Sequence, residues 1–270
     1  MKLTKSLLAQ LSNLLLRSDF LLRVFQIFLD EMLKKSETVF HKKNKMLFAV
    51  PNQMTKYRAR TFSSKEPETL EWIDSFTENS VFWDIGANVG IYSIYAGLSR
   101  SSKVFAFEPS VFNLEFLARN INLNALQAQV KIVPIALSNK IGMNKFQMKN
   151  TSWGGALSTF GEDFDQYGKS FDSPLFEYSI PGSTIDAVGY YFGIDPPDYV
   201  KIDVDGIEHL ILEGGGAILK NTKSILLEVN TNFEIQLNNI NRIMKQLGFK
   251  LIRKCFMGDE AFYNFWWERL

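Results

Sequence analysis

The chain has 270 residues, of which 46% are hydrophobic and 22% charged, and its 30 basic and 29 acidic side chains nearly cancel. This length and composition suit one α/β domain with an extension. The chain has a single cysteine, Cys255, which excludes an intrachain disulfide and a thiolate zinc site and fits the reducing cytoplasm. Its two histidines exclude a histidine-rich metal site.

The pattern of residues 1–35 predicts one or two amphipathic helices, because leucines recur there at helical spacing. No apolar run reaches the roughly 18 residues of a membrane span, and no signal-peptide cleavage site follows. Residues 1–60 carry 12 basic and 4 acidic side chains, a net charge of +8, against −7 for the remainder. The apolar face is expected to pack on the domain or on a second copy in a homodimer. Peripheral contact with an anionic membrane is the alternative. The leucines are Leu7, Leu8, Leu11, Leu14, Leu15 and Leu22.

Residues 34–68 are polar and basic and predict a connector with short strands, so that 1–68 form an N-terminal segment and 69–270 the main domain. Strands then alternate with helices, which predicts a mostly parallel sheet covered by helices on both faces. The last two strands are expected to pair as an antiparallel hairpin at one edge. Residues 149–183 lack periodicity and predict a long loop insertion. The predicted strands are 81–85, 103–109, 130–137, 144–148, 199–206, 224–230, 249–255 and 261–267, and the helices are 89–98, 110–124, 207–220 and 233–247.

Ligands of such sheets bind beyond the C-terminal ends of the strands. The functional candidates are therefore four short segments that follow strands. They are Asp84–Gly90, Glu108–Pro109, Ala136–Ser138 and Asp203–Glu208.

The loop DIGANVG after the first strand does not match a phosphate-binding loop. From Gly86, the second and third glycines of GxGxxG are replaced by Asn88 and Ile91, and no GKS or GKT follows. Gly86 permits a sharp turn, and Asn88 tolerates a left-handed backbone. Asp84 is suited to an ammonium group, and Glu108, at the end of the second strand, to ribose hydroxyls. A ligand with a ribose, an amine and no phosphate is S-adenosylmethionine. The alternative is a buried aspartate that caps a helix and an exposed glutamate.

Six segments in order resemble the FkbM-type methyltransferase family over about residues 80–230: DIGANVGIYS, FEPSVFNLEFLARNINLN, IALSN, STIDAV, VKIDVDGIEHLILEG and ILLEVN. The resemblance implies a class I methyltransferase fold, a Rossmann-like three-layer sandwich with a mostly parallel seven-stranded sheet and an antiparallel edge strand. It also implies O-methylation of a sugar, glycan or related natural product. Together with the strand-end positions, it indicates these cofactor-binding residues: Asp84, Gly86, Ala87, Asn88, Gly90, Ser93, Glu108, Pro109, Ala136, Leu137, Ser138 and Asp203.

The string VDGIE crowds three carboxylates into one turn, which favours a raised pKa and a general base. Asp203 or Glu208 is the expected base. His209 is either an alternative base or a solvent-facing helix residue. The family often has glutamate at the position of Asp205. Asp205 is expected either to cap a helix or to bind the methyl acceptor. Trp153, in the loop 152–168, is also expected to bind the acceptor. A divalent cation held by the three carboxylates is a further alternative, although the prediction is for no metal.

The sequence therefore predicts an S-adenosylmethionine-dependent O-methyltransferase with a glycan or small-molecule acceptor. A lipid or other metabolite acceptor, and a non-catalytic binding protein with the same fold, remain alternatives. No nucleic-acid partner is expected, because the string DPPDY at 195–199 precedes a strand instead of following it.

Overall fold

Residues 18–74 form a helix, a hairpin and two short helices. The computed structural model describes residues 18–258 and 261–269. The hairpin is held on the main domain because Asn124 Oδ1 and Asn120 Oδ1 accept hydrogen bonds from the backbone nitrogens of Leu47 (2.9 Å) and Ala49 (2.8 Å). The elements are α1 (Asp19–Leu33), β1 (Ser36–His41), β2 (Asn44–Ala49), α2 (Gln53–Arg60) and α3 (Pro67–Asp74).

The main domain contains a seven-stranded sheet and a smaller four-stranded sheet. In chain order its strands are β3 (Val81–Ile85), β4 (Lys103–Phe107), β5 (Val130–Val133), β6 (Ala136–Leu137), β7 (Gly142–Met148), β8 (Ser158–Phe160), β9 (Phe176–Ser183), β10 (Tyr199–Ile202), β11 (Ser224–Asn230), β12 (Phe249–Phe256) and β13 (Phe262–Arg269). Its helices are α4 (Ile91–Ser99), α5 (Val111–Leu123), α6 (Ile185–Tyr191), α7 (Glu208–Glu213), α8 (Glu234–Gln246) and a 3₁₀ turn at Ile218–Asn221.

The seven strands follow the spatial order β12-β13-β11-β10-β3-β4-β5. Successive side chains point to opposite faces of a strand. Accordingly Phe82 and Val104 enter one core cluster with α3, α4 and α5, whereas Trp83 and Phe105 enter another with α6, α7 and α8. The predicted three-layer arrangement with a mostly parallel sheet, the class I methyltransferase fold, is confirmed.

The structure corrects several details of the predicted elements. The antiparallel strand is β13, which lies between β11 and β12, so the edge strand β12 itself is parallel to the others. The segment 130–137 contains two strands in different sheets, and the predicted helix 207–220 is interrupted after Glu213 by three glycines. The insertion 149–183 is not a plain loop, because β8 and β9 pair with β7 and complete the smaller sheet in the order β6-β9-β7-β8.

The predicted N-terminal helices are only partly covered by the structure. Leu7, Leu8, Leu11, Leu14 and Leu15 lie outside the described residues, and Leu22 lies in α1. Across the described ranges, no helix has the length and apolar character needed to cross a membrane. The domain boundary between residues 68 and 69 stays a prediction.

Candidate functional site

A cavity lies at the C-terminal ends of the parallel strands β3, β4 and β10, as expected for this kind of sheet. Eight of the predicted cofactor-binding residues line it: Gly86, Ala87, Asn88, Glu108, Pro109, Ala136, Leu137 and Asp203.

The turn after β3 brings two strand ends into close contact. Gly86 has φ +85°, and a Cβ placed there would lie 1.9 Å from the carbonyl oxygen of Asp203. Only glycine fits both the backbone angle and this approach. Asn88 has φ +52°, so its predicted left-handed conformation is confirmed. The turn therefore depends on two positive φ angles and on the close contact of Gly86 with the Asp203 backbone. Asn88 stands where a pyrophosphate-binding loop requires a glycine.

Glu108 is a buried carboxylate on the cavity wall. Its Oε2 accepts a hydrogen bond from Asn88 N (2.7 Å) and its Oε1 accepts one from Ser110 N (2.7 Å). Burial raises the pKa of Glu108 to about 7, although these two backbone hydrogen bonds act in the opposite direction. The side chain of Asn113 also donates to this carboxylate. A carboxylate has about four acceptor positions, so Glu108 can still accept a hydrogen bond from a ligand.

Apolar side chains from the segment after β5 and from the smaller sheet form the wall of the cavity beyond Glu108. They could contact a planar aromatic ring. They are Ile135, Ala136, Leu137, Phe146 and Phe160.

Lys201 and Asp203 form a largely buried ion pair at the end of β10. Lys201 is 2% exposed, and its Nζ lies 2.5 Å from Asp203 Oδ2. Burial alone would lower the pKa of Lys201, but the charges of Asp203, Glu66 and Asp84 outweigh it and raise this pKa. Burial would raise the pKa of Asp203, but the charge of Lys201 outweighs it, and the pKa lies well below its ordinary value. Asp203 is therefore held ionised.

Glu228 of β11 is the neighbour of Asp203 on the cavity wall. Burial raises the pKa of Glu228 well above its ordinary value, and the charge of Asp203 adds to this effect. The two carboxyl groups share a hydrogen bond. The opposite directions of the two pKa shifts favour a protonated Glu228 beside an ionised Asp203.

The N-terminal segment contributes one side of the cavity, which the sequence did not indicate. Arg58, Lys65 and Glu66 line it, and the buried Tyr92 lies beside Glu66. Lys65 Nζ lies 2.7 Å from Glu66 Oε1. Arg58, Lys65 and Glu66 precede β3 by many positions in a segment predicted as a connector, so no local pattern marked them. Lys201 did carry a signal, since it is a lysine inside the otherwise apolar strand YVKI.

The loop 153–158 covers the cavity and is fixed through its backbone. The carbonyl of Gly155 accepts a hydrogen bond from Asn88 Nδ2 (2.7 Å), and that of Gly154 accepts one from Arg58 Nε (2.7 Å). Asp205 Oδ2 accepts hydrogen bonds from the backbone nitrogens of Leu157 (2.8 Å) and Ser158 (3.2 Å). The loop thus joins α2 to the strand ends across the cavity.

Asp205 itself also lines the cavity. Burial raises its pKa to about 6, and the charge of Asp203 adds to this effect. Its backbone has φ +65°, and Gly206 follows with φ +125°. These two residues turn the chain so that the carboxylates before and after them point in different directions.

Four predicted cofactor-binding residues do not line the cavity. Asp84 is 1% exposed, and its Oδ2 accepts a hydrogen bond from Ser93 Oγ (2.5 Å), so its carboxylate faces α4 instead of a ligand. Gly90 lies against Leu117 of α5, and an added Cβ there would lie 2.4 Å from Leu117 Cδ1. Ser138 is buried and its backbone nitrogen donates to Ser183 O (2.9 Å).

Glu208 and His209 also lie outside the cavity lining. The carboxylate of Glu208 accepts hydrogen bonds from Val204 N (3.1 Å) and Gly206 N (3.1 Å), and Gln236 Nε2 also donates to it (2.5 Å). Burial raises the pKa of Glu208 to about 7. His209 is buried and not solvent-facing, with its ring 6.2 Å from that of Phe164, and burial lowers its pKa. Both residues stabilise the turn after β10.

Trp153 packs on the domain and does not line the cavity. Its ring lies 4.9 Å from that of Phe116 in α5, which belongs to a core cluster. The three carboxylates after β10 do not converge either, and within residues 18–258 and 261–269 no group of three or more acidic, histidine or cysteine side chains is arranged to hold a metal ion. The geometry therefore leaves Asp203 and Asp205 as the cavity carboxylates of this turn.

Comparison with known proteins gives the family. The model of the methyltransferase FkbM domain matches residues 84–251, more than half of the chain. The hexuronic acid methyltransferase AglP of Haloferax volcanii is 22% identical over 189 residues, which cover 69% of this chain and 71% of AglP. The methyltransferase sdnD of Sordaria araneosa is 26% identical over 168 residues, covering 53% of this chain and 62% of sdnD.

Solved structures with low sequence identity resemble the chain as well. TYW2 of M. jannaschii in complex with AdoMet is 15% identical, with 87% of each chain covered and a TM-score of 0.46. The precorrin-6y C5,15-methyltransferase of Geobacter metallireducens GS-15 is 16% identical, with 76% of this chain and 87% of that chain covered and a TM-score of 0.44. The family match over residues 84–251, with the fold and cavity described above, shows that the chain is a methyltransferase that belongs to the FkbM family.

Proposed function

We propose that the protein is an S-adenosylmethionine-dependent O-methyltransferase that acts on a hydroxyl of a sugar or glycan. The observation that carries the proposal is the arrangement of Gly86, Glu108 and Asp203 around one cavity at three adjacent strand ends. The backbone turn at Gly86, the Glu108 carboxylate that can accept hydrogen bonds from hydroxyl groups, and the ionised carboxylate of Asp203 therefore lie next to one another.

The residues present fit this cofactor. The apolar wall from Ile135 to Leu137, with Phe146 and Phe160, suits an adenine ring, and the remaining acceptor capacity of the Glu108 carboxylate suits a ribose hydroxyl. The turn at Gly86–Asn88 and the ion pair of Lys201 with Asp203 offer groups of both charge signs to an amino-acid end. When bound there, S-adenosylmethionine would supply a methyl group on a positively charged sulfur.

Asp203 is the proposed proton acceptor. An attacking hydroxyl oxygen uses one electron pair to form the new oxygen–methyl bond while the carbon–sulfur bond breaks, and it gains positive charge as it does so. Its proton therefore becomes strongly acidic during the step, so even a carboxylate of lowered pKa, such as Asp203 beside Lys201, can take it. Glu228 already holds a proton and donates a hydrogen bond to Asp203, so it stabilises the charged form.

Arg58 on the cavity wall favours an acidic sugar as acceptor. Its Nε donates a hydrogen bond to the Gly154 carbonyl oxygen, whereas Lys65, which also lines the cavity, is paired with Glu66. A planar guanidinium binds a carboxylate well. The relative AglP, which is named a hexuronic acid methyltransferase, supports the same choice.

Two measurements test the function. Calorimetry with S-adenosylmethionine is expected to give saturable one-site binding, and transfer of a radiolabelled methyl group is expected to favour uronic acids over neutral sugars in a panel of both. A chain that binds no S-adenosylmethionine contradicts the whole proposal. Binding with transfer only to lipids or to small non-sugar metabolites contradicts the acceptor alone.

Affinity for the cofactor is expected to depend on pH through Glu108. Since burial raises its pKa to about 7, Glu108 is mostly protonated at pH 6 and ionised at pH 8. The ionised form accepts ribose hydroxyl hydrogen bonds better, so Kd should fall about tenfold from pH 6 to pH 8. Glu108→Gln should bind more weakly at pH 8 and lose this difference.

Asp205→Asn is the matched control for this titration. Asp205 also titrates in this range, with a pKa of about 6, but it holds the covering loop and not the ribose site. The control should keep most of the pH dependence. The cofactor's own amino group titrates equally in all three proteins, so equal slopes in the wild type and Glu108→Gln would rule out Glu108 as the titrating group.

A further inference from the structure

Helix α1 exposes an unusually large apolar surface. None of its residues from Asp19 to Leu33 is buried. Monomeric soluble proteins rarely leave a contiguous apolar patch of such size uncovered. Its exposed large apolar side chains are Phe20 (74% exposed), Leu21 (37%), Val24 (48%), Phe25 (44%), Ile27 (64%), Phe28 (58%), Leu29 (42%) and Met32 (37%).

The apolar side chains share one broad face of the helix. At about 100° per residue they span roughly 200° of its circumference, and the polar residues Asp19, Arg23, Gln26 and Asp30 lie on the remaining side. Glu31 falls within the apolar arc, but its carboxylate is paired with Lys34 Nζ at 2.8 Å. The helix is therefore amphipathic, with a wide apolar face.

The length of α1 suits the surface of a bilayer and not its interior. Fifteen helical residues extend about 22 Å, which is shorter than the hydrocarbon core of about 30 Å. A helix of this kind lies in the plane of the interface with its apolar face among the acyl chains.

The charge of residues 1–60, the segment that contains α1, indicates which kind of surface α1 binds. Residues 1–60 carry a net charge of +8, and the remaining 210 residues carry −7. Lys35, Lys43 and Lys45 are exposed, and the ion pairs among the described residues include none of them. Anionic lipid headgroups complement this charge, and the acidic body would be oriented away from them. The basic charge lies in the residues around α1, because the helix itself carries Arg23 against Asp19, Asp30 and Glu31. Pairing of α1 with α1 of a second copy would instead bring two of these basic surroundings close together.

We infer that α1 binds the surface of an anionic membrane, with its apolar face in the interface and the neighbouring lysines on the headgroups. Flotation of the full chain with vesicles tests this. Vesicles of phosphatidylcholine and phosphatidylglycerol (7:3) should bind at least fivefold more protein than vesicles of phosphatidylcholine alone, and 0.5 M salt should reduce the difference.

A triple variant identifies the helix as the contact. Phe20→Ser, Phe25→Ser and Phe28→Ser together should lower the bound fraction at least tenfold while the melting temperature stays unchanged, because α1 has no buried residue. The matched control replaces three exposed aromatic residues elsewhere, Tyr190, Tyr191 and Phe192 (64%, 80% and 55% exposed), with serine and should bind like the wild type.

Three results would overturn the inference. They are equal binding to both vesicle types, unchanged binding of the α1 variant, and sedimentation of the wild type as a dimer that the α1 variant converts to a monomer. The last result would assign the apolar face to a second copy of the chain.

Discussion

Asp203→Asn is expected to lower kcat by about 10²–10⁴-fold, the range usually contributed by a positioned general base. The amide cannot take the proton of the attacking hydroxyl. It also leaves the buried Lys201 ammonium without its 2.5 Å partner, so a loss of stability is expected alongside. The Kd for S-adenosylmethionine should change much less than kcat. Steady-state turnover, calorimetry and thermal unfolding of the same preparation separate these three effects.

Glu228→Gln is the comparison for Asp203→Asn. Because Glu228 is held protonated, the amide preserves both its shape and its hydrogen-bond donation to Asp203. Its loss of turnover should therefore be far smaller than that of Asp203→Asn. Turnover of Asp203→Asn within threefold of the wild type would exclude Asp203 as the base. Complete loss of cofactor binding would instead mean that the main role of Asp203 is its contact with the amino-acid end of the cofactor and not proton transfer.

Gly86→Ala is expected to damage both the fold and the site. The new Cβ would lie 1.9 Å from the backbone oxygen of Asp203, and φ at this residue is +85°. Backbone cannot move aside as a flexible side chain can, so the two strand ends must separate. A destabilisation of about 2–5 kcal/mol is expected from strain and overpacking. Cofactor affinity should fall at least tenfold, because Gly86 and Asp203 both line the cavity.

Gly216→Ala supplies the matched glycine control. An added Cβ there meets no atom within 4 Å, and its φ is not in the left-handed region. Its stability is expected to stay within about 0.5 kcal/mol of the wild type. Chemical denaturation and calorimetry check both variants. Wild-type stability and affinity in Gly86→Ala would mean that the strand ends can separate without cost.

Local sequence predicted the parts of the site that are encoded locally. The alternation of strands and helices gave the sheet, and the string DIGANVG gave the left-handed Asn88 and the glycine turn at Gly86. Glu108 followed from its position at the end of the next strand. Each of these inferences needs only neighbouring residues and the rule that parallel strands end at the same edge of a sheet.

The rest of the site depends on where side chains point in the folded chain, which the local sequence pattern does not specify. Asp203, Asp205 and Glu208 are close in sequence, but the positive φ angles at Asp205 and Gly206 turn the chain between them, so only the first two face the cavity. Arg58 reaches the site from more than 20 residues before β3. Trp153 resembled a sugar-stacking residue, yet it packs against Phe116 because α5 offers an apolar surface there.

The way in which the loop 153–158 is fixed bears on how acceptor preference can change. The side chains of Asn88, Arg58 and Asp205 hold it, and on the loop they bind only main-chain atoms of Gly154, Gly155, Leu157 and Ser158. Ala156, Leu157 and Ser158 can therefore be exchanged without loss of any of these bonds, whereas Trp153 is fixed by its packing on Phe116. Selection, or a designed library, is free to vary the cover of the cavity while the catalytic framework beneath it stays constant.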